Sequence, residues 1–263
     1  MASNKKKTAK KKTCSKKLNK KQLIALVTVI AVLIAGTFGI ILASSTKNRT
    51  HDLYEFDKDK AYGIDVSSHN GKIEWKTVAK EVDFAFIRVG YRTYGDGILL
   101  KDKRAEYNLK NAEKAKIPFG VYVYSQAVNE KEAEEEAKLA IRQVKSYNIQ
   151  LPIVIDFEYA TKDGKQVGRL SDAKLSKKER MNVINAFCRT VKEAGYTPAL
   201  YASSNIYKNQ LSPKKLVDGT IIWVADYNKK MKYKGSFDIW QYSEKGSCKG
   251  VSSKYVDTNY WYK

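Results

Sequence analysis

The chain has 263 residues, room for one large domain or two small ones, and a formal net charge of +21. The charge is uneven: residues 1–49 hold twelve Lys or Arg and no acid, leaving 37 basic against 28 acidic residues beyond them, net +9. Only two histidines (His51 and His69) exclude a His-rich metal centre, the three cysteines fit no zinc spacing, and no glycine-rich or Walker pattern follows a strand, so no metal or cofactor is expected.

Ten lysines between Lys5 and Lys21 read at first as a nucleic-acid arm. The next segment argues against that. Residues 23–43, LIALVTVIAVLIAGTFGIILA, are 21 residues without a charge. As a helix this run is about 31 Å long, enough to cross a bilayer core. The lysine flank then fixes the N-terminus in the cytoplasm and everything past Ala43 outside it, and the basic block serves topology and anionic-lipid contact. The run exceeds the apolar core of about 7–15 residues in a cleavable signal, although Ala43 and Ser45 form a loose cleavage site. The expected organisation is a cytoplasmic tail at 1–22, a signal-anchor helix at 23–43, a polar stalk at 44–60 and one domain at 61–263.

In that domain eight apolar runs bounded by turn signals read as strands: 61–67, 84–91, 119–125, 152–158, 198–203, 221–226, 237–242 and 256–261. Helical stretches at 103–116, 129–147 and 176–194 alternate with the earlier ones. The last opens with Ser176 and Glu179 in capping-box spacing and ends at Gly195. Cys188 falls with Ile184, Phe187 and Val191 on the apolar face of that helix, so core packing is its first reading; a Cys188–Cys248 disulfide is the alternative. Strand–helix alternation predicts a parallel sheet, and eight strands in about 200 residues predict a closed α/β barrel. The missing late helices make it irregular. An open doubly wound sheet is the alternative.

The fourth strand carries the chemistry. In LPIVIDFEYA (151–160) an apolar run ends in Asp156 and Glu158, which share one strand face at i and i+2. Two carboxylates on one face repel, and beside an apolar wall at least one has a raised pKa. Acid-catalysed sugar cleavage needs that pairing, one carboxyl protonated and another ionised; solvated acids at a strand end are the bland reading. A parallel barrel places its chemistry at the C-terminal strand ends. The polar residues expected there are Asp65, Tyr122, Tyr124, Asp156, Glu158, Trp223, Tyr227, Gln241 and Asp257. For Tyr122 and Trp223 taken singly, core packing competes with sugar contact.

These residues resemble glycoside hydrolase family 25, the Chalaropsis-type muramidases, over about residues 61–262. The segment YGIDVSSHNG (62–71) is similar to the family's first-strand motif, GVY (120–122) to its third strand, IDFE (155–158) to its central D-x-E and WVA (223–225) to its sixth strand. WQYS (240–243), GV (250–251) and VDTN (256–259) match its ending in order and spacing. The resemblance implies a TIM-like (β/α)5(β)3 barrel and hydrolysis of the β-1,4 bond between N-acetylmuramic acid and N-acetylglucosamine in bacterial peptidoglycan. It implies Glu158 as general acid and Asp156 as the group that stabilises charge or holds the substrate's N-acetyl group. Asp65 and Asp257 would complete an acidic floor, with Tyr122, Tyr124, Trp223, Tyr227 and Gln241 binding sugar. The i, i+2 spacing leaves retention and inversion open. Because a neighbour on the same strand reaches the opposite sugar face awkwardly, retention with N-acetyl participation is the favoured expectation.

The sequence departs from the family where the second strand ends (Arg88 to Arg92), where Val123 replaces a frequent histidine and where Tyr227 stands in place of a tryptophan. The expected protein is a membrane-anchored wall hydrolase of a bacterium, with peptidoglycan strands and the membrane as partners and no nucleic acid; nothing in the sequence sets an oligomeric state. Alternatives are a non-catalytic wall-binding barrel and a hydrolase of another N-acetylated glycan. Adjacent Ser67, Ser68 and His69 lack a triad arrangement.

Overall fold

The structure, a computed structural model, describes residues 53–263. The expected membrane-crossing run at 23–43, the lysine block and residues 44–52 of the expected stalk lie outside these residues. Among the described residues no helix is long and apolar enough to cross a membrane.

In chain order the elements are β1 (Lys60–Val66), α1 (Trp75–Val78), β2 (Phe84–Arg92), β3 (Leu99–Lys101), α2 (Ala105–Lys114), β4 (Phe119–Ser125) and α3 (Glu130–Val144). Then follow β5 (Ile153–Phe157), β6 (Ala160–Lys162), β7 (Lys165–Val167), α4 (Arg169–Asp172), α5 (Lys177–Glu193), β8 (Pro198–Ser203) and α6 (Ser204–Asn209). The chain closes with β9 (Ile221–Ala225), β10 (Ile239–Gly246) and β11 (Val256–Tyr262). All eight expected strands are present, as β1, β2, β4, β5, β8, β9, β10 and β11. The predicted helices appear as α2, α3 and α5. The capping box that the sequence signals is made, with Ser176 and Glu179 exchanging hydrogen bonds, and α3 has a cap of its own, Asn129 Oδ1 accepting from Glu132 N.

The barrel strands follow the order β1-β11-β10-β9-β8-β5-β4-β2, and β1 pairs back onto β2, which closes the sheet. The open-sheet alternative is thereby excluded. Neighbours are parallel from β1 through β2, β4, β5, β8 and β9 to β10, but β11 runs antiparallel to both β10 and β1. The expectation of a parallel sheet therefore fails at one strand. The connection at 247–255 is shorter than the dozen or so residues a parallel crossover takes, so the chain returns antiparallel.

Strand alternation splits the core into two layers. One face of the strands, with Ile64, Ala85, Ile87, Val121, Ile153, Ile155 and Leu200, packs in the layer that holds the buried residues of α2, α3 and α5. The other face, with Ala61, Phe84, Phe86, Val154, Ala199, Trp223, Ile239 and Trp261, fills the barrel. Phe86 lies 4.6 Å from Trp223 and stacks on Trp261 at 6.2 Å between centroids, so the lower barrel is an aromatic plug rather than a pore. Two glycines make room for it. A Cβ at Gly63 would sit 2.4 Å from the Phe84 ring, and one at Gly120 would sit 2.5 Å from Phe86.

The described part of the expected stalk is not free. Leu53 and Phe56 pack against the barrel interior cluster, with Phe56 5.6 Å from Phe84 and 5.7 Å from Trp261. Tyr54 N also donates to Gln150 O at 3.1 Å. The compact domain therefore starts before residue 61, because an apolar ring is needed to close the lower end. Cys188 is buried in the core and Cys248 partly buried, and both are free thiols.

Candidate active site

The inward faces that carry the plug carry acids at their upper ends. Asp65 follows Ala61 and Gly63 on β1, and Asp156 follows Val154 on β5. Glu158 lies one residue past β5 and continues its alternation. Asp257 is the register partner of Asp65 across the β1–β11 pair. It reaches the mouth from the N-terminal end of its strand, not from the C-terminal end that the sequence implied, because β11 is antiparallel. The four carboxylates line one cleft of about 1050 Å³, with Tyr122, Tyr124, Trp223, Tyr227 and Gln241 in the same wall. Every residue the sequence nominated thus meets at one mouth.

Asp65 anchors a fixed network. Its Oδ2 accepts from Gln241 Nε2 at 2.9 Å and from Asn259 Nδ2 at 2.8 Å. Each amide is oriented from behind. Gln241 Oε1 accepts from Tyr201 at 2.7 Å and Tyr227 at 2.6 Å, and Asn259 Oδ1 accepts from Trp223 Nε1 at 2.9 Å. With their oxygens occupied, both amides must present N–H to Asp65. Trp223 is therefore a buried floor residue with an orienting role, 2% exposed, while Tyr227 is 50% exposed at the rim.

Asp156 is held in register between Tyr124 of β4 and Tyr201 of β8. It is 7% exposed, and its Oδ1 has no hydrogen-bond partner. Burial, then the Glu158 and Asp65 carboxylates, push Asp156 well above the usual carboxylate range, with Arg88 pulling the other way. Burial, then Asp65 and Glu244, raise Glu158 to about 7. Burial and the same neighbours, with Glu158, raise Asp257 to about 8. Asp65 reaches only about 6, because burial raises it while the Asn259 and Gln241 amides favour its ionised form. These groups titrate as one cluster whose proton count, rather than any one site, is set by pH. Near neutrality the cleft holds protonated carboxyl groups beside an ionisable one, which is the requirement for acid catalysis at an acetal.

Sequence reasoning missed several members. Arg88 sits on the inward face of β2, two residues past Phe86, and its Nε donates to buried Asp102 at 2.8 Å. It is the cation that moderates Asp156, and continuing the Phe84, Phe86 alternation by one step would have found it. Tyr201 and Asn259 follow the same rule, two residues beyond Ala199 and Asp257. Tyr94, also on the cleft wall, belongs to the β2–β3 turn and gave no periodic signal. Among the described residues no group of His, Cys, Asp and Glu is arranged to hold a metal ion.

Comparison with known proteins agrees with this geometry. The family model described as glycosyl hydrolases family 25 matches residues 64–251. The chain superposes on the modular autolysin LytC of Streptococcus pneumoniae, solved with a synthetic peptidoglycan ligand, with TM-score 0.65 and 31% identity. That match covers 77% of this chain and 47% of LytC, so the chain spans about half the length of that relative. A family 25 glycosyl hydrolase from Bacillus anthracis (24% identity, TM-score 0.63, 81% of this chain and 94% of that one) shares the fold. So does a lysozyme from Streptomyces coelicolor (24%, TM-score 0.59, 77% and 92%). The uncharacterised Escherichia coli K12 protein YegX is 27% identical over 208 residues, 75% of this chain and 68% of its own length. A closed eight-stranded barrel with four acids at its mouth and a family match over most of the chain have one reading: the chain belongs to glycosyl hydrolase family 25 and is a glycoside hydrolase.

Proposed function

We propose that the chain hydrolyses peptidoglycan at the β-1,4 bond between N-acetylmuramic acid and N-acetylglucosamine. The observation that carries this reading is the pairing of Asp156 and Glu158 on one inward strand face in a cleft deep enough to raise both. Similarity to an autolysin solved with a peptidoglycan ligand supports the substrate class. Glu158, raised to about 7 and partly open to the cleft, gives its proton to the leaving oxygen as the bond breaks. Asp156 takes the second role. Its unpartnered Oδ1 is placed to accept an N-acetyl N–H, and that donor favours the ionised form as positive charge develops beside it. Asp65 and Asp257 keep the local field acidic, so that Glu158 retains its proton.

On this reading the substrate's own N-acetyl carbonyl attacks the anomeric carbon as the bond to the leaving oxygen breaks. Water then displaces it from the opposite face, giving up a proton to Glu158, and the product keeps its anomeric configuration. Proton NMR of the first-formed reducing end tests this: a retained anomer is expected and an inverted one overturns it. Mass spectrometry after a slow fluorosugar substrate gives the second check, since a label on Asp156 would make it a nucleophile. The bond itself is tested by mass spectrometry of muropeptides released by the purified protein, which should end in reducing N-acetylmuramic acid. We also propose that residues 23–43 anchor this domain on the outer side of the bacterial membrane. Recovery from the medium of a fragment beginning near residues 44–47 would refute that.

A further inference from the structure

Tyr94 and Tyr227 are both large, half-exposed side chains on the cleft wall, 53% and 50% accessible. Tyr94 lies just past β2 and Tyr227 just past β9. Four strand steps separate β2 from β9 whichever way the barrel is followed, so the two strands face each other across it. The acids come from β1, β5 and β11, between these poles.

The Tyr94 turn is braced far beyond what a surface turn needs. Arg169 N donates to Tyr94 O at 2.8 Å, and Thr93 N donates to Ile98 O at 3.0 Å. Ile98 N donates to Thr93 Oγ1 at 2.8 Å, and buried Arg92 donates from Nη1 to Gly97 O at 2.9 Å. Gly168, at φ +84, approaches so closely that a Cβ there would lie 2.7 Å from Tyr94 O. The Arg169 guanidinium under this turn is itself clamped by both oxygens of Glu132, at 2.7 and 2.8 Å. The ring also bears on the catalytic end of the cleft. Tyr94 is among the groups that raise Tyr124, the register partner of Asp156. A flat amphipathic ring, exposed on a backbone that is already fixed, binds the apolar face of a pyranose without having to order the turn that carries it.

We propose that Tyr94 is a stacking platform for a sugar unit beyond the two that flank the cleaved bond. The cleft thereby selects an extended N-acetylated glycan strand over a disaccharide. The proposal rests on the glycan-hydrolase reading above. It is tested with the full-length protein, its Tyr94→Ala and Tyr94→Trp variants, and soluble peptidoglycan glycan oligomers of four to eight sugars. In the wild type kcat/KM should rise with oligomer length. Tyr94→Ala should lose about fivefold more on the longest oligomer than on the shortest, through KM rather than kcat, and Tyr94→Trp should restore the slope. Equal loss at every length, or an unchanged slope, overturns the platform. The same oligomers titrated calorimetrically into Glu158→Gln, with and without Tyr94→Ala, separate the two readings. If the wild type cleaves nothing, the hydrolase reading fails. The platform still stands or falls on whether Tyr94→Ala removes the length dependence of affinity.

Discussion

The lower and upper halves of the barrel interior are made by the same strands and differ in one register step. Below, Phe84, Phe86, Trp223 and Trp261 close the space with ring contacts. One step up, the same faces present Asp65, Arg88, Asp156 and Gln241, and Asp156 Oδ1 is left without a partner. The lower half holds the domain together. The upper half stores carboxyl groups in a medium that resists their ionisation, at a cost in stability. Function and stability are thus separated along the strand axis, not between domains.

The comparison is broken most severely from above by Glu158→Gln. It keeps the shape and removes the proton, so turnover of peptidoglycan should fall about 10²–10⁴-fold while the circular dichroism spectrum and melting temperature stay near wild type. Wild-type rates in this variant would place the acid elsewhere. From below, Phe86→Ala should do the reverse. It removes a fully buried ring that touches Trp223 and Trp261, and should cost about 3–5 kcal/mol in urea unfolding. The lower half then fails as a plug, and activity is lost only as folded protein is lost.

Legibility followed the same division. Apolar runs and turn residues marked all eight barrel strands, because each puts an apolar stretch into the core and is bounded by a loop. The capping box at Ser176 and Glu179 marked α5 to within a residue. What stayed hidden depends on contacts distant in sequence. The antiparallel return of β11 follows from a connection length, not from any residue in the strand. The β6–β7 hairpin and β3 are three-residue strands whose partners are only each other and β2. Phe56 looked like part of a polar stalk because the surface it seals, Phe84 and Trp261, is assembled from opposite ends of the domain. In the site, Asp65 and Asp257 were visible as strand-end acids, but Gln241 and Asn259 acquire their roles only once Tyr201, Tyr227 and Trp223 occupy their oxygens.

That relay gives a smaller, sharper test. Gln241→Leu removes one of the two donors to Asp65 and strands the hydroxyls of Tyr201 and Tyr227. Loss of a buried donor costs about 1–3 kcal/mol. Because the amide holds Asp65 down, its removal should move the ionisation of Asp65 up from about 6, weaken the negative field that keeps Glu158 protonated and shift the alkaline limb of the pH–rate profile downward. A profile unchanged in position would mean that Asp65 does not feed into the chemistry.

The smallest effect concerns stability against pH, and its sign distinguishes the two halves. Asp257 is raised to about 8 in the folded protein, first by burial, whereas an unfolded aspartate titrates near 3.9. Between those values the folded state binds more protons than the unfolded one, so stability falls as pH rises through that window. Below about pH 4 the group is protonated in both states and contributes nothing. Asp257→Asn keeps the shape but cannot ionise. It should therefore melt with the wild type at pH 4 and above it at pH 8. Differential scanning calorimetry across that range decides the matter. The plug variant Phe86→Ala should be destabilised by the same amount at both ends, since no titrating group is lost with the ring. An Asp257→Asn protein that melts below the wild type at pH 8 would show that the ionised carboxylate stabilises the mouth, contrary to the division drawn between the two halves.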